Sequence, residues 1–191
     1  MKSPFGRRAV GLSIAAAVGG FLFGFDSSVI NGAVASIENQ FGLNAVVTGF
    51  VVAIALLGCA LGAVLAGVLS DRWGRLRVMM IGAVLFFVSA IGSGLAFSAV
   101  DLTIWRFIGG LGIGIASVVA PAYIAEVAPR QIRGTLGSLQ QLAITLGIFG
   151  ALLSNAVLAG VAGGASSQLW FGLEAWRWML LVEAVPALVY G

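Results

Sequence analysis

The sequence predicts an all-α integral membrane protein, and its composition carries this prediction. Of the 191 residues, 60% are hydrophobic and only 9% are charged, whereas a soluble domain carries about 25% charged residues. The apolar residues recur in runs of about 20, the length that a helix needs to cross a hydrocarbon core of ~30 Å. These runs lack the alternation of apolar and polar residues that is typical of an outer-membrane barrel. A chain of this composition cannot cover a water-exposed surface, so the lipid bilayer is its expected partner.

Six apolar segments divide the chain, and each is predicted to form one membrane-spanning helix. The connections between them are short and polar. The last segment is short for a crossing, and no polar residue follows it. We therefore expect the chain to stop inside the sixth span and to be a fragment. The predicted spans cover residues of about 9–33, 46–69, 78–97, 102–125, 135–160 and 176–191.

The distribution of basic residues predicts the orientation of the helices. If the N-terminus lies in the cytoplasm, Arg106 and Arg177 are near outer ends and the other basic residues collect on the inner side. Such a bias follows the positive-inside rule. The net charge of +3 is therefore a topology signal and implies no nucleic-acid partner. We expect a multi-pass protein of the plasma or inner membrane. The inner basic residues are Lys2, Arg7, Arg8, Arg72, Arg75, Arg77, Arg130 and Arg133.

Small residues recur at every fourth position in three predicted spans. Such stripes let helix backbones approach closely in lipid. The segment GGLGIG at 109–114 resembles a phosphate-binding loop, but it lies inside a span and follows no strand, so helix packing is the better interpretation. The stripes are Gly20, Gly24, Ser28 and Gly32 in span 1, Gly58, Gly62 and Ala66 in span 2, and Gly110 and Gly114 in span 4.

The scarcity of reactive side chains argues against an enzyme. The chain has one cysteine, Cys59, and no histidine, so neither a disulfide within the chain nor a metal cluster is expected. No nucleophile stands beside a candidate base. We expect no metal and no organic cofactor, and any relay of protons has to use carboxylates.

Three ionisable residues lie inside predicted spans, at a similar depth. At 1.5 Å per residue, Asp26 and Glu183 lie about 10 Å, and Arg106 about 8 Å, below the outer ends of spans 1, 6 and 4. A charge at the bilayer centre costs about 2.5–3.5 kcal/mol on insertion scales, so such residues are usually paired and functional. One arginine cannot satisfy two carboxylates equally. The cluster suits a proton-coupling site, and a static ion pair that holds helices together is the alternative.

Span 5 carries a stripe of polar residues. At 100° per residue, the side chains of the stripe fall within an arc of about 100°. Uncharged groups that both donate and accept hydrogen bonds suit a neutral polyhydroxylated ligand. Hydrogen bonding between helices is the alternative. The stripe consists of Ser138, Gln141, Thr145, Ile148 and Asn155.

The inner connections carry motifs that point to a family. The segment GVLSDRWGR at 67–75 resembles the loop between spans 2 and 3 of the major facilitator superfamily. PAYIAEVAPRQIRG at 121–134 is similar to the sugar porter family within it, as are FGFD at 23–26 and WRWML at 176–180. The resemblance implies a twelve-helix fold of two six-helix halves, each built from two inverted three-helix repeats. This chain resembles the first half, so the C-terminal half is an expected, missing partner.

The resemblance also implies roles for single residues. Asp26 matches the proton-coupling aspartate of span 1, Arg106 matches its partner in span 4, and Glu183 falls where some bacterial members have an acid. The implied sugar contacts are Phe23, Gln141 and Ile148.

A cytoplasmic gating network, which locks the two halves together when the pore faces outward, is implied in the same way. Leu76 stands where the family usually has a second basic residue, which weakens the expected lock. The implied members of the network are Asp71, Arg72, Arg75, Glu126 and Arg133.

The predicted function is proton-coupled uptake of a monosaccharide or related polyol by alternating access. A facilitative sugar uniporter, in which Asp26 is structural, is the first alternative. The second is a membrane protein that does not transport, either a sugar sensor or a half-length protein used for assembly.

Overall fold

The computed structural model describes residues 4–127 and 133–190. Five of the helices in these ranges are long and apolar enough to cross a membrane, which confirms the prediction of an all-α membrane protein. The helices are α1 (Pro4–Phe41), α2 (Ala45–Trp73), α3 (Arg75–Gly94), α4 (Ala99–Val127), α5 (Arg133–Ala162), α6 (Ala175–Val182) and α7 (Ala184–Tyr190).

Short polar signals set the ends of α2. Asn44 caps its start, since the Asn44 side chain accepts a hydrogen bond of 2.9 Å from the backbone N–H of Val47, which satisfies a donor that the helix leaves free. Gly74 alone separates α2 from α3. Its φ of 83° and ψ of 152° lie in a region that is essentially restricted to glycine. The reversal at Gly74 brings Arg75 back beside the end of α2.

Several helices differ from the predicted spans. Helix α1 continues to Phe41, eight residues beyond the predicted end at residue 33, and α2 continues to Trp73, four residues beyond its predicted end. The third helix ends at Gly94, three residues before the predicted end, where Arg177 donates hydrogen bonds to the carbonyls of Gly94 and Ala96. The sixth span is two helices that meet at Glu183. Pro186 explains this break, because proline has no N–H to donate to the carbonyl of Val182 and its ring crowds that carbonyl.

The two three-helix repeats of this bundle exchange helices. The second helix of the first repeat, α2, packs along α4, and the second helix of the second repeat, α5, packs along α1. Helix α3 joins the repeats by packing on both α4 and α6. A core around the fully buried side chain of Trp176 closes the end of the bundle where α1 and α6 meet. Each repeat therefore completes its packing only against the other.

Glycines allow the exchanged helices to approach closely. A side-chain carbon at Gly62 of α2 would collide with the backbone carbonyl of Leu111 in α4. One at Gly114 of α4 would collide with that of Cys59 in α2. The contact between α1 and α5 is built in the same way at Gly24 and Gly147. Close backbone contact of this kind replaces the hydrophobic effect as a source of helix association in lipid.

Replacement of Gly62 with alanine should destabilise the bundle, because the new methyl group has no space between α2 and α4. Overpacking costs about 1–3 kcal/mol. Gly67→Ala is the matched control, since a carbon at Gly67 meets nothing within 4 Å and alanine favours a helix by about 1 kcal/mol over glycine. Thermal unfolding in detergent measures both variants. Equal midpoints for Gly62→Ala and the unchanged protein would contradict the close approach of the two helices.

Candidate functional site

The centre of the bundle holds an ion pair between α1 and α4. The guanidinium of Arg106 donates a 2.6 Å hydrogen bond from Nη1 to Oδ1 of Asp26 and a longer one, 3.5 Å, from Nη2 to Oδ2. Arg106 is only 4% exposed and Asp26 only 6%. The two residues are 80 positions apart in the chain. The pair thus fastens the first helix of one repeat to the first helix of the other.

Glu183 is the second acid beside Arg106, and its contact is of a different kind. Its Oε1 lies 3.8 Å from Nη1 of Arg106, within reach of an ion pair but beyond a hydrogen bond. Glu183 is 1% exposed, and Oε1 is buried without a hydrogen-bond partner in the described part of the structure. Arg106 therefore forms hydrogen bonds with Asp26, whereas its interaction with Glu183 is only electrostatic.

The scaffold fixes where Glu183 lies. It occupies the break between α6 and α7, so its place depends on how α6 is held. Trp176, at the start of α6, is completely buried. Next to it, Arg177 donates a 2.7 Å hydrogen bond to the carbonyl of Ala96 and lies over the ring of Trp176. These contacts anchor α6 to the end of α3 and hold Glu183 at the level of Arg106.

Two acids and one base make the cluster electrically unbalanced. If both carboxyls are ionised, one negative charge is left over in a buried place, which is costly. A proton on either carboxyl removes this surplus. A proton on Asp26 also leaves the guanidinium of Arg106 available to Glu183, which is close enough to receive it after a small shift. The arrangement can therefore take up one proton and exchange the partner of Arg106.

A cavity of about 540 Å³ opens beside the cluster, between α1, α2 and α4. Asp26 and Arg106 lie in its wall together with Phe23, one of the predicted sugar contacts. Gln141 and Ile148 do not belong to this wall. The structure thus brings Phe23 to the charged cluster and does not place the other two predicted sugar contacts in the wall of this cavity.

The polar stripe of α5 is divided between two environments. Gln141 and Thr145 are exposed on the outside of the bundle, and Ile148 is 38% exposed. Asn155 was predicted in the same stripe, with hydrogen bonding between helices as the alternative to ligand binding, and for Asn155 the structure shows that alternative. Its side chain is buried and donates a 2.8 Å hydrogen bond to the carbonyl of Val29 in α1. Asn155 therefore binds helices together, and the ligand-facing candidates are confined to the first half of α5.

The predicted gating residues are only partly connected. Arg75 donates hydrogen bonds of 3.2 Å from Nε and 2.8 Å from Nη2 to Oε1 of Glu126. Its Nη1 donates a further 2.8 Å bond to the hydroxyl of Ser70. Asp71 and Arg72 are exposed and form no ion pair with another described residue. The side chain of Arg133 lies outside the described residues.

Comparison with known families identifies the family of the chain. The family model described as "Sugar (and other) transporter" matches residues 12–190. The chain belongs to this family. This is the sugar porter family of the major facilitator superfamily, and the chain corresponds to the N-terminal part of that fold.

Two curated relatives and one solved structure illustrate the relationship. The glucose transport protein of Synechocystis sp. is 58% identical over 181 residues, which cover 94% of this chain and 39% of the relative. The D-xylose-proton symporter of Escherichia coli is 38% identical over 206 residues, with coverages of 94% and 41%. The partially occluded, inward-open xylose transporter from E. coli superimposes with a TM-score of 0.83 at 37% identity, over 95% of this chain and 48% of the other. The chain thus spans about two-fifths of the length of these curated sugar porters.

Sequence reasoning missed some contacts that hold this porter's charged groups. Ser70 belongs to the inner network through Arg75, and its place directly before Asp71 in the SDRWGR segment was the available signal. Arg177 donates a hydrogen bond to a carbonyl at the end of α3, although the sequence analysis considered it only as an indicator of membrane orientation. Helix depth alone could not choose between the two acids, because both were predicted at the same level, whereas the family resemblance implied Arg106 as the partner of Asp26, which is the pair that forms the hydrogen bond.

Replacement of Arg106 with methionine should strongly destabilise the porter, because it leaves two buried acids without a cation. Loss of one member of a buried ion pair costs about 3–5 kcal/mol. The double change Arg106→Met with Asp26→Asn should recover part of this loss, since it removes one of the two charges. Unfolding in detergent measures both variants. The idea fails if the double change is as unstable as Arg106→Met alone.

Proposed function

We propose that the chain is the first six-helix half of a transporter that couples the uptake of a monosaccharide or related polyol to a proton. The single observation that carries the proposal is the unequal sharing of Arg106 between Asp26 and Glu183 in the buried centre of the bundle. The family and its relatives support the substrate class, since these include a glucose transport protein and a D-xylose-proton symporter.

The first step is protonation of Asp26 from the outer side. A proton on Asp26 neutralises the carboxylate that holds Arg106, and the guanidinium then pairs with Glu183, 3.8 Å away. The direct tie between α1 and α4 is thereby weakened without creating an unpaired charge, which would be costly in this environment. Loss of the tie lets the two repeats adjust, and the loaded transporter turns inward. Release of the proton to the cytoplasm restores the pair.

The sugar is bound between this half and a second six-helix half. Gln141 and Thr145 are exposed on α5 at membrane depth, and polar side chains at that depth face a bundle interior or a water-filled cavity. The amide of Gln141 donates and accepts hydrogen bonds, as a sugar hydroxyl requires. Ile148 and Phe23 supply apolar surface for the sugar ring.

The inner ion pairs govern the other side of the cycle. With the N-terminus in the cytoplasm, Arg75 and Glu126 lie at the inner surface, and the network predicted around Asp71, Arg72 and Arg133 surrounds them. Exposed ion pairs of this kind are individually worth less than about 1 kcal/mol, so they break and reform easily. They close the inner surface while the site faces outward.

Replacement of Asp26 with asparagine should abolish accumulation of sugar against a gradient, because an amide takes up no proton. Exchange of labelled for unlabelled sugar should persist. Radiolabelled uptake by the complete transporter in proteoliposomes, with and without an inward proton gradient, measures both activities. Asp101→Asn is the control, since it makes the same chemical change at the outer end of α4. Accumulation by Asp26→Asn equal to that of the unchanged protein would favour a facilitative uniporter.

Replacement of Gln141 with alanine should raise the KM for sugar, because it removes hydrogen bonds to the ligand. Loss of one such bond costs about 0.5–1.5 kcal/mol, or roughly two- to tenfold in KM. Gln168→Ala is the matched control, since Gln168 is exposed in the connection between α5 and α6. Concentration dependence of uptake measures both. An unchanged KM for Gln141→Ala would remove this residue from the sugar site.

A further inference from the structure

The cavity beside the charged cluster has an acid at each end. Asp26 and Arg106 lie at its inner end, and Glu38 lines it near the outer end of α1, where α1 turns into α2. Glu38 is 12 residues after Asp26, which corresponds to about 18 Å along a helix. Asp26, Glu38 and Arg106 are the charged side chains among the described residues of its wall.

Glu38 lies beside the start of α2. The hydroxyl of Thr48 has one proton, and it lies 3.0 Å from the carbonyl of Asn44 and 3.4 Å from Oε1 of Glu38, so its contact with Glu38 is the weaker of the two. Thr48 is buried and only 5% exposed. The start of α2 is next to this carboxyl, and the N-terminal end of a helix favours a negative charge. Glu38 is thus a half-buried carboxyl at the mouth of the cavity, beside the start of α2.

The two acids of the buried cluster differ in their access to this cavity. Asp26 lies in its wall, whereas Glu183 does not and is 1% exposed. Between Asp26 and Glu38 the wall is mostly apolar, with Ile30 on α1 and Val52 on α2. The described wall carries no further carboxyl in this stretch. A volume of about 540 Å³ has room for on the order of ten or more water molecules, which can pass a proton on.

We infer that this cavity is the outer water-filled path by which protons reach Asp26, and that Glu38 collects them at its mouth. The inference rests on the proposed proton coupling. In it, Glu38 raises the local concentration of protons at the mouth of the cavity and does not itself contact the sugar. Acid at the mouth of a narrow cleft with low-dielectric walls concentrates cations there and speeds their entry. Glu183 is sealed from this path and receives only the guanidinium.

The groups that face the path come from several helices. Glu38 and Asp26 belong to α1, Cys59 to α2 and Arg106 to α4. Glu183 lies behind Arg106 at the break between α6 and α7. The described part of α5 places no titratable side chain in the wall. A change in proton dependence can therefore be assigned to a short set of residues.

Cys59 tests the path without reference to transport. It lines the same cavity, and it is the one cysteine of the sequence. A water-soluble cationic methanethiosulfonate added outside intact cells should modify it, and the Cys59→Ser variant of the same gene product gives the background. Glu38→Gln should slow the cationic reagent about two- to tenfold and leave a neutral reagent unchanged. Failure of both reagents to reach Cys59 would overturn the path and leave proton coupling itself standing.

Replacement of Glu38 with glutamine also tests the collection of protons. The amide oxygen still accepts from Thr48, so the structural contact is kept while the charge is lost. The proton concentration for half-maximal uptake should rise about two- to tenfold, with sugar exchange at saturating proton unchanged. Thr48→Val removes the hydroxyl beside Glu38 and keeps the Glu38 charge, so it should shift the proton concentration for half-maximal uptake less than Glu38→Gln does.

Glu174→Gln is the matched control for the loss of an outer negative charge. Glu174 lies in the connection before α6, accepts a hydrogen bond from Trp176 and does not line the cavity. Equal proton dependence of Glu38→Gln and Glu174→Gln would overturn the role of Glu38. If uptake by the unchanged transporter ignores the proton gradient, the proposed coupling and the role of Glu38 fall together, whereas modification of Cys59 still reports the cavity.

Discussion

One guanidinium between two carboxylates is the constraint on which the rest of the bundle depends. Arg106 is buried, so its charge has to be neutralised by residues brought from distant parts of the chain. Asp26 provides two hydrogen bonds and Glu183 provides charge alone. A single acid would have made a static pair. The second acid places an alternative partner 3.8 Å from the guanidinium, and this is the feature on which the proposed exchange depends.

Glycine contacts fix each of the two helices that carry the ion pair to a neighbouring helix. Helix α2 lies against α4 at Gly62 and Gly114, and α5 lies against α1 at Gly24 and Gly147. Backbones in direct contact fix α4, which carries Arg106, to α2, and α1, which carries Asp26, to α5. The exchange of helices between repeats also means that a change at the ion pair is felt in both. Packing and charge therefore act on the same two helices, α1 and α4.

Much of this could be predicted from the sequence, because a helix has a fixed rise per residue. Depth arithmetic placed Asp26, Arg106 and Glu183 together, and the structure does bring them together. The neighbour that each side chain faces around a helix was harder to predict. Asn155 was assigned to the ligand face of α5, yet it lies eleven residues after Ile144, and eleven residues return a helix to nearly the same side. Ile144 lies against Gly24 of α1, and Asn155 lies against Gly32 of the same helix. The cavity could not be predicted, since a gap between helices leaves no pattern in any one of them.

The separation of Asp26 from Arg106 along the chain has a consequence for biosynthesis. The two residues are 80 positions apart, and ribosomes add about 5–20 residues per second, so Asp26 exists for about 4–16 s before its partner is made. During that interval the first helix carries an acid into the membrane with nothing to neutralise it. Neutralisation by a proton, or shelter in the insertion machinery, has to serve until the fourth helix arrives. The residue that ties the finished bundle together is the one that makes its first helix hardest to insert.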